Sequence, residues 1–210
     1  MRESIRPLNN CPSLILLCLA IGCSQAPKNL SPPPLDPAAA AAKAMELFDS
    51  NSDGKIDKSE LSSSPGLKAA LKTTDSDRDG ALTQQEIQDR LQVYVDSGTA
   101  IRSFQVELRR RGGEARNLQL TAVPEPFLEE YIEPATGETN VAGVVTPNIE
   151  FTDPEIRQQG YGGMRLGMYR LQVVSLDGKT IPKKYNEDSD LGIEVGLDHH
   201  APLPSFMISY

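Results

Sequence analysis

The sequence predicts an α+β chain in two domains, a helical pair followed by an antiparallel β-sandwich. Three observations carry that expectation. Apolar residues recur at helical spacing between 37 and 97, then alternate with a period of two from Phe104 onward. Two acidic twelve-residue segments, each with a glycine at its sixth place, break the helical part. Gly, Pro and Asn separate the alternating runs, as turns between short strands require. The layout expected is a leader over 1–22, a proline-rich tether over 23–36, the helical pair over 37–97 and the sandwich over 100–210.

Arg2 and Arg6 supply a positive start, and Leu14 to Ile21 form an apolar run far below the ~20 residues that cross a bilayer. The leader closes on Leu19-Ala20-Ile21-Gly22-Cys23, small residues running into cysteine. That ending resembles the lipobox of bacterial lipoproteins. The resemblance implies a signal peptide over 1–22 and a Cys23 that is acylated and becomes the first residue. Ordinary cleavage that leaves Cys23 a bystander stays open, and Cys18 suits the motif less because Leu17 is bulky. Anchoring of this kind places the chain outside the cytoplasm, on the cell envelope. Ser24 after the cysteine favours the outer membrane by the sorting rule such lipoproteins follow. One acyl chain binds a membrane only marginally, so stable attachment implies several chains at Cys23. Cys11, Cys18 and Cys23 are the three cysteines, so no internal disulfide is expected beyond Cys23. Ser31-Pro32-Pro33-Pro34 marks the tether as extended, with a reach of roughly 40 Å at ~3.1 Å per residue.

Asp36 and Pro37 read as the cap and first position of a helix whose stripe is Ala41, Ala44, Met45 and Phe48. Ser64-Pro65 repeats the start signal, with Leu67, Ala70 and Leu71 behind it; Ile87, Leu91, Tyr94 and Val95 form the last stripe, stopped near Gly98. Between them lie Asp49-Ser50-Asn51-Ser52-Asp53-Gly54-Lys55-Ile56-Asp57-Lys58-Ser59-Glu60 and Asp75-Ser76-Asp77-Arg78-Asp79-Gly80-Ala81-Leu82-Thr83-Gln84-Gln85-Glu86. Oxygen-bearing side chains fall at places 1, 3, 5, 9 and 12. A hard divalent cation takes about six to eight oxygens, and a short loop supplies them only by folding its carboxylates inward around a sharp glycine bend. Asp57 to Glu60 and Thr83 to Glu86 also read as capping boxes, which explains neither the upstream acids nor the glycines.

The joint pattern is identified as an EF-hand pair. The resemblance implies two Ca2+ sites: Asp49, Asn51, Asp53, Lys55, Asp57 and Glu60 in one, Asp75, Asp77, Asp79, Ala81, Thr83 and Glu86 in the other, with Lys55 and Ala81 contributing at the seventh place. Apolar Ile56 and Leu82 suit a short β-bridge between the loops. Only Leu61 to Thr74 separate them, so the intervening helices must be brief. Met45 is the only methionine of this part, whereas calcium sensors expose methionine-rich grooves. A structural, mostly occupied pair is therefore expected. Four carboxylates crowd each site and repel without a cation, which makes binding partly folding free energy.

The strands expected are centred on Phe104-Val106-Leu108, Leu118-Leu120-Ala122, Tyr169-Leu171-Val173, Leu191-Ile193-Val195-Leu197 and Phe206-Ile208-Tyr210, with Asp177-Gly178 turning a hairpin between Val174 and Ile181. The stretches Gly137–Val144, Gly167–Val173 and Ile181–Asn186 resemble carboxypeptidase-regulatory-like, transthyretin-like domains. That likeness implies a sandwich scaffold and no chemistry; Pro147–Met164 falls outside its pattern. Gly160–Gly163 lacks the lysine and strand-to-helix setting of a phosphate cradle. His199 and His200 point to opposite faces if in a strand, which disfavours a shared metal.

A net charge of −8 leaves no basic footprint for nucleic acid. Arg109-Arg110-Arg111 is the local exception, read as a solvated strand end or as a contact for an anionic surface or acidic partner. No zinc-protease motif and no catalytic cysteine occur, so the chain reads as a non-enzyme, a hydrolase using sandwich loops being the weak alternative. The leading expectation is a calcium-binding, lipid-anchored structural or interaction module, attached through Cys23 and presenting the sandwich to a protein or cell-surface partner. The alternative is a calcium-responsive regulatory or accessory subunit of a secreted enzyme.

Overall fold

A computed structural model of the protein describes residues 29–198 and 203–210. The leader, Cys23, the first part of the tether and His199-His200 lie outside the described residues. The class is α+β. Helix α1 (Pro37–Phe48) opens where Asp36 Oδ1 accepts the amides of Ala38 and Ala39, at 3.0 and 3.1 Å, with Pro37 at the position that needs no partner. Strand β1 (Lys55–Ile56), a 3₁₀ turn (Glu60–Ser63), α2 (Pro65–Thr74), β2 (Leu82–Thr83) and α3 (Gln84–Asp96) follow. The turn and α2 are as brief as the spacing required. Ala40, Ala41, Ala44 and Phe48 are buried on α1, which packs along α3 at Ile87, Leu91 and Tyr94.

The second part holds β3 (Val106–Arg110), β4 (Gly113–Glu114), β5 (Leu118–Pro124), β6 (Ala135–Glu138), β7 (Val144–Val145), β8 (Asn148–Ile149), α4 (Pro154–Gln158), β9 (Gly167–Ser175), β10 (Gly192–Val195) and β11 (Ser205–Ile208). One sheet runs β10-β9-β5-β6-β8, antiparallel throughout; the other runs β11-β3-β4, with β7 also on β3. β5 follows the expected alternation, burying Leu118, Leu120, Ala122 and Pro124. Pro147–Met164 contributes β8 and α4, and Met164 bridges back to Arg102.

Two expectations are corrected. β11 lies parallel to β3, because alternation assigns faces and says nothing of strand direction. Asp177-Gly178 turns the chain, but no strand returns through Ile181. Pro182 carries no N–H for a ladder, and the chain enters a 3₁₀ turn (Lys183–Tyr185) before β10 pairs with β9. The described part of the tether lies against the fold: Arg165 Nη1 donates to Ser31 O at 2.9 Å and Ala100 O at 2.7 Å, and Leu35 packs against the core.

Helices α1, α2 and α3 and both sheets share one hydrophobic cluster. Helix α2 lies over β9 and β10, so close that a Cβ on Gly192 would stand 2.0 Å from Pro65 O. This contact buries the sheet end on both faces, including Glu194 at 2 % exposure. Arg90 of α3, itself 7 % exposed, donates from Nε to Glu194 Oε1 at 2.5 Å and grips Asp198 through Nη1 and Nη2 at 3.0 and 2.7 Å. Tyr94 OH and Thr73 Oγ1 also donate to Glu194. Below the start of α2, fully buried Glu125 accepts the Gly66 amide at 2.6 Å through Oε1, while its Oε2 has no hydrogen-bond partner among the described residues. Burial pushes this carboxyl above its ordinary 4.5, against the pull of the Gly66 amide.

Breaking a buried pair strands the other charge, so Arg90→Met should cost roughly 3–5 kcal/mol, and Arg90→Met with Glu194→Met should recover much of it. Urea midpoints of wild type and both variants check this. A carboxyl raised in the folded state is stabilising when protonated, and that contribution is lost as pH climbs above the ordinary 4.5. Glu125→Gln should therefore raise the melting temperature at neutral pH, with the gain vanishing below pH 4.5; a pH series of thermal melts tests the sign.

Candidate metal centre

The two loops follow one backbone path. Their fourth residues, Ser52 and Arg78, are left-handed at φ 58° and 63°, and their sixth, Gly54 and Gly80, at φ 87° and 85°. Most of the hydrogen bonds repeat place for place, although Asp49 Oδ1 accepts the amide of the fifth residue at 3.1 Å where Asp75 Oδ1 accepts that of the fourth at 2.6 Å. The first aspartate accepts the glycine amide at 3.0 Å in both, through Asp49 Oδ2 and Asp75 Oδ2. The third residue, Asn51 or Asp77, accepts the amide of the fifth at 2.8 and 3.1 Å. The fifth, Asp53 or Asp79, accepts that of the seventh at 3.0 and 2.9 Å. The final glutamates span each ring: Glu60 Oε1 takes the Ser50 amide at 2.8 Å and Oε2 the Asp57 amide at 2.9 Å, while Glu86 takes Ser76 and Thr83 amides at 2.9 Å each. Converging amides form a concave, electropositive lining that holds carboxylates against their mutual repulsion.

β1 and β2 tie the rings back to back, Lys55 facing Thr83 and Ile56 facing Leu82, with both apolar side chains fully buried. Thr83 forms the expected capping box with Glu86. Asp57 and Glu60 make the same reciprocal bonds, Asp57 Oδ1 accepting the Glu60 amide at 3.1 Å. The ninth-place residues therefore open the exiting turns here.

The second loop gathers Asp75, Asp77 and Glu86 so that one oxygen of each lies within 4.8 Å of the others. Oxygens on opposite sides of a calcium ion stand about 5 Å apart, so this set fits one such ion. It is the one such acidic group among the described residues; the first loop carries Asn51 where the second has Asp77. Asp79 is not in the group. Its Oδ2 takes the ammonium of Lys55, reaching over from the first loop.

Charge on these acids is favoured. Glu60 is held below its usual range by the Asp57 amide and the Ser50 hydroxyl, Asp57 by Ser59, and Asp79 by Lys55. Burial opposes ionisation of Glu86, and the Thr83 and Ser76 donors outweigh it. The stability they contribute is present above ordinary carboxylate values and lost as pH falls. Sequence reasoning missed the donors Ser50 and Ser76, although serine in the second place of both loops was a visible signal. It also missed the lysine side chain, which nothing in the spacing reveals.

A protein-family model described as EF hand matches residues 42–63, the first loop with its flanks. The match points to calcium binding. No curated protein and no solved structure is significantly similar to the chain. The second loop, outside the match, repeats the first in geometry. No helix among the described residues is long and apolar enough to cross a membrane.

Gly80 at φ 85° has open space where a methyl group would project, so Gly80→Ala isolates backbone strain. It should cost about 1–2 kcal/mol in chelator, where no cation contributes; denaturant titration measures it.

Proposed function

We propose that this chain is a calcium-binding protein with two EF-hand sites, lipid-anchored at Cys23 outside the cytoplasm, that serves as a structural or interaction module. The observation that carries the reading is the repeated set of hydrogen bonds: both loops hold the acidic residues of places 1, 5 and 12 on backbone amides at equivalent places, and the second gathers three of its acids closely enough for one ion. Asp49, Asn51, Asp53, Asp57 and Glu60, with the Lys55 carbonyl, would hold the first cation. Asp75, Asp77, Asp79, Thr83 and Glu86, with the Ala81 carbonyl, would hold the second. Calcium there supplies charge neutralisation and no reaction. The sandwich-like sheets then act as a scaffold towards a protein or cell-surface partner, and no enzyme role is assigned. Lipidation, the outer membrane and the transthyretin-like kinship rest on the sequence resemblances alone.

A second reading, a calcium-responsive regulatory or accessory subunit of a secreted enzyme, draws support from α3. The same helix carries a proposed ligand, Glu86, in its first turn and one turn later carries Arg90 into the sheet.

Glu60→Gln with Glu86→Gln should abolish the rise in melting temperature that calcium produces, while each single variant removes one of two binding steps by calorimetry. A shift on adding calcium that survives the double variant would sink the reading. Palmitate labelling lost in Cys23→Ser tests the anchor.

A further inference from the structure

The second loop needs four carboxylates in one place and has gathered three. Asp75, Asp77 and Glu86 stand together, while Asp79 turns its Oδ2 to the Lys55 ammonium and keeps its Oδ1 on the Ala81 amide at 2.9 Å. The lysine belongs to the other loop, and its backbone pairs with Thr83 across the bridge, so its stem starts from a point fixed relative to both rings. An ammonium at that place does two opposite things. In the cation-free protein it offsets repulsion among the acids. Once a doubly charged ion arrives, it repels that ion and competes for Asp79.

We propose that Lys55 is a built-in counter-ion of the second loop, holding Asp79 out of the Asp75–Asp77–Glu86 group and thereby setting the calcium affinity of that site. The inference rests on the calcium reading above and deepens it. It makes the first loop a determinant of the second through one side chain. The pair is partly exposed, at 44 % for the lysine and 35 % for the aspartate, so its influence is moderate and screened by salt.

Calcium calorimetry on the full chain tests this, with wild type, Lys55→Met, Lys55→Gln, Lys55→Arg, Glu60→Gln and Glu86→Gln compared at low salt. Removing the charge should tighten the step that Glu86→Gln eliminates by up to roughly fivefold, with Lys55→Arg close to wild type and the gain shrinking at high salt. In chelator, Lys55→Met and Lys55→Gln should melt below wild type, the readout a merely decorative surface pair would not move. An unchanged or weakened second step, or a shift confined to the step that Glu60→Gln eliminates, overturns the assignment. Absence of calcium heat in wild type would overturn both readings at once, a pattern distinct from an intact wild type with a silent lysine.

Discussion

Like-charge repulsion among the loop carboxylates is the constraint around which the helical part is organised. Each twelve-residue loop carries four carboxylates, and in the second Asp75, Asp77 and Glu86 bring one oxygen each within 4.8 Å of the others. At that spacing unscreened repulsion would open the rings. Backbone amides answer it first. Left-handed residues at the fourth and sixth places turn N–H groups inward, and each ring closes when its final glutamate accepts amides from both ends. The β-bridge adds a second restraint by burying Ile56 and Leu82 between the loops. A cationic side chain, Lys55, reaches Asp79 from within the module.

The helical part is joined to the sheet by packing and by buried charge. Helix α2 covers β9 and β10, made possible by the missing side chain of Gly192. Taking Arg90 and Glu194 out of water is expensive, and the geometry offsets it: Glu194 receives Arg90, Tyr94 and Thr73, while Asp198 takes the remaining face of the guanidinium. Burial first, and then the charge of Glu194, push the Tyr94 hydroxyl well above its ordinary range. Because α3 starts beside Glu86 and reaches Arg90 one turn later, loop and sheet share a rigid element.

Much of this was legible along the chain. The helix starts at Pro37 and Pro65, the bridge between Ile56 and Leu82, and the capping box at Thr83 follow from local rules that hold wherever such residues meet. Leu118, Leu120 and Ala122 announced their strand because one face of β5 meets the core and the other does not. The pattern failed where a second layer covers the sheet. Glu194 occupies an outward place in Ile193-Glu194-Val195 and is nonetheless buried, since α2 and α3 lie over it. Asp177-Gly178 misled because the turn is real and the strand after it is not; Pro182 withholds the donor that pairing needs.

The order of residues was enough for the two acidic loops, their glycine bends and the switch from helical to strand period, because each depends on spacing within a dozen residues. It was not enough for the parallel course of β11 beside β3, for the meeting of Arg90 and Glu194 across 104 positions, or for the reach of Lys55 to Asp79. Those contacts join residues from separate elements, and their partners are chosen by how the layers close. No local periodicity encodes that choice.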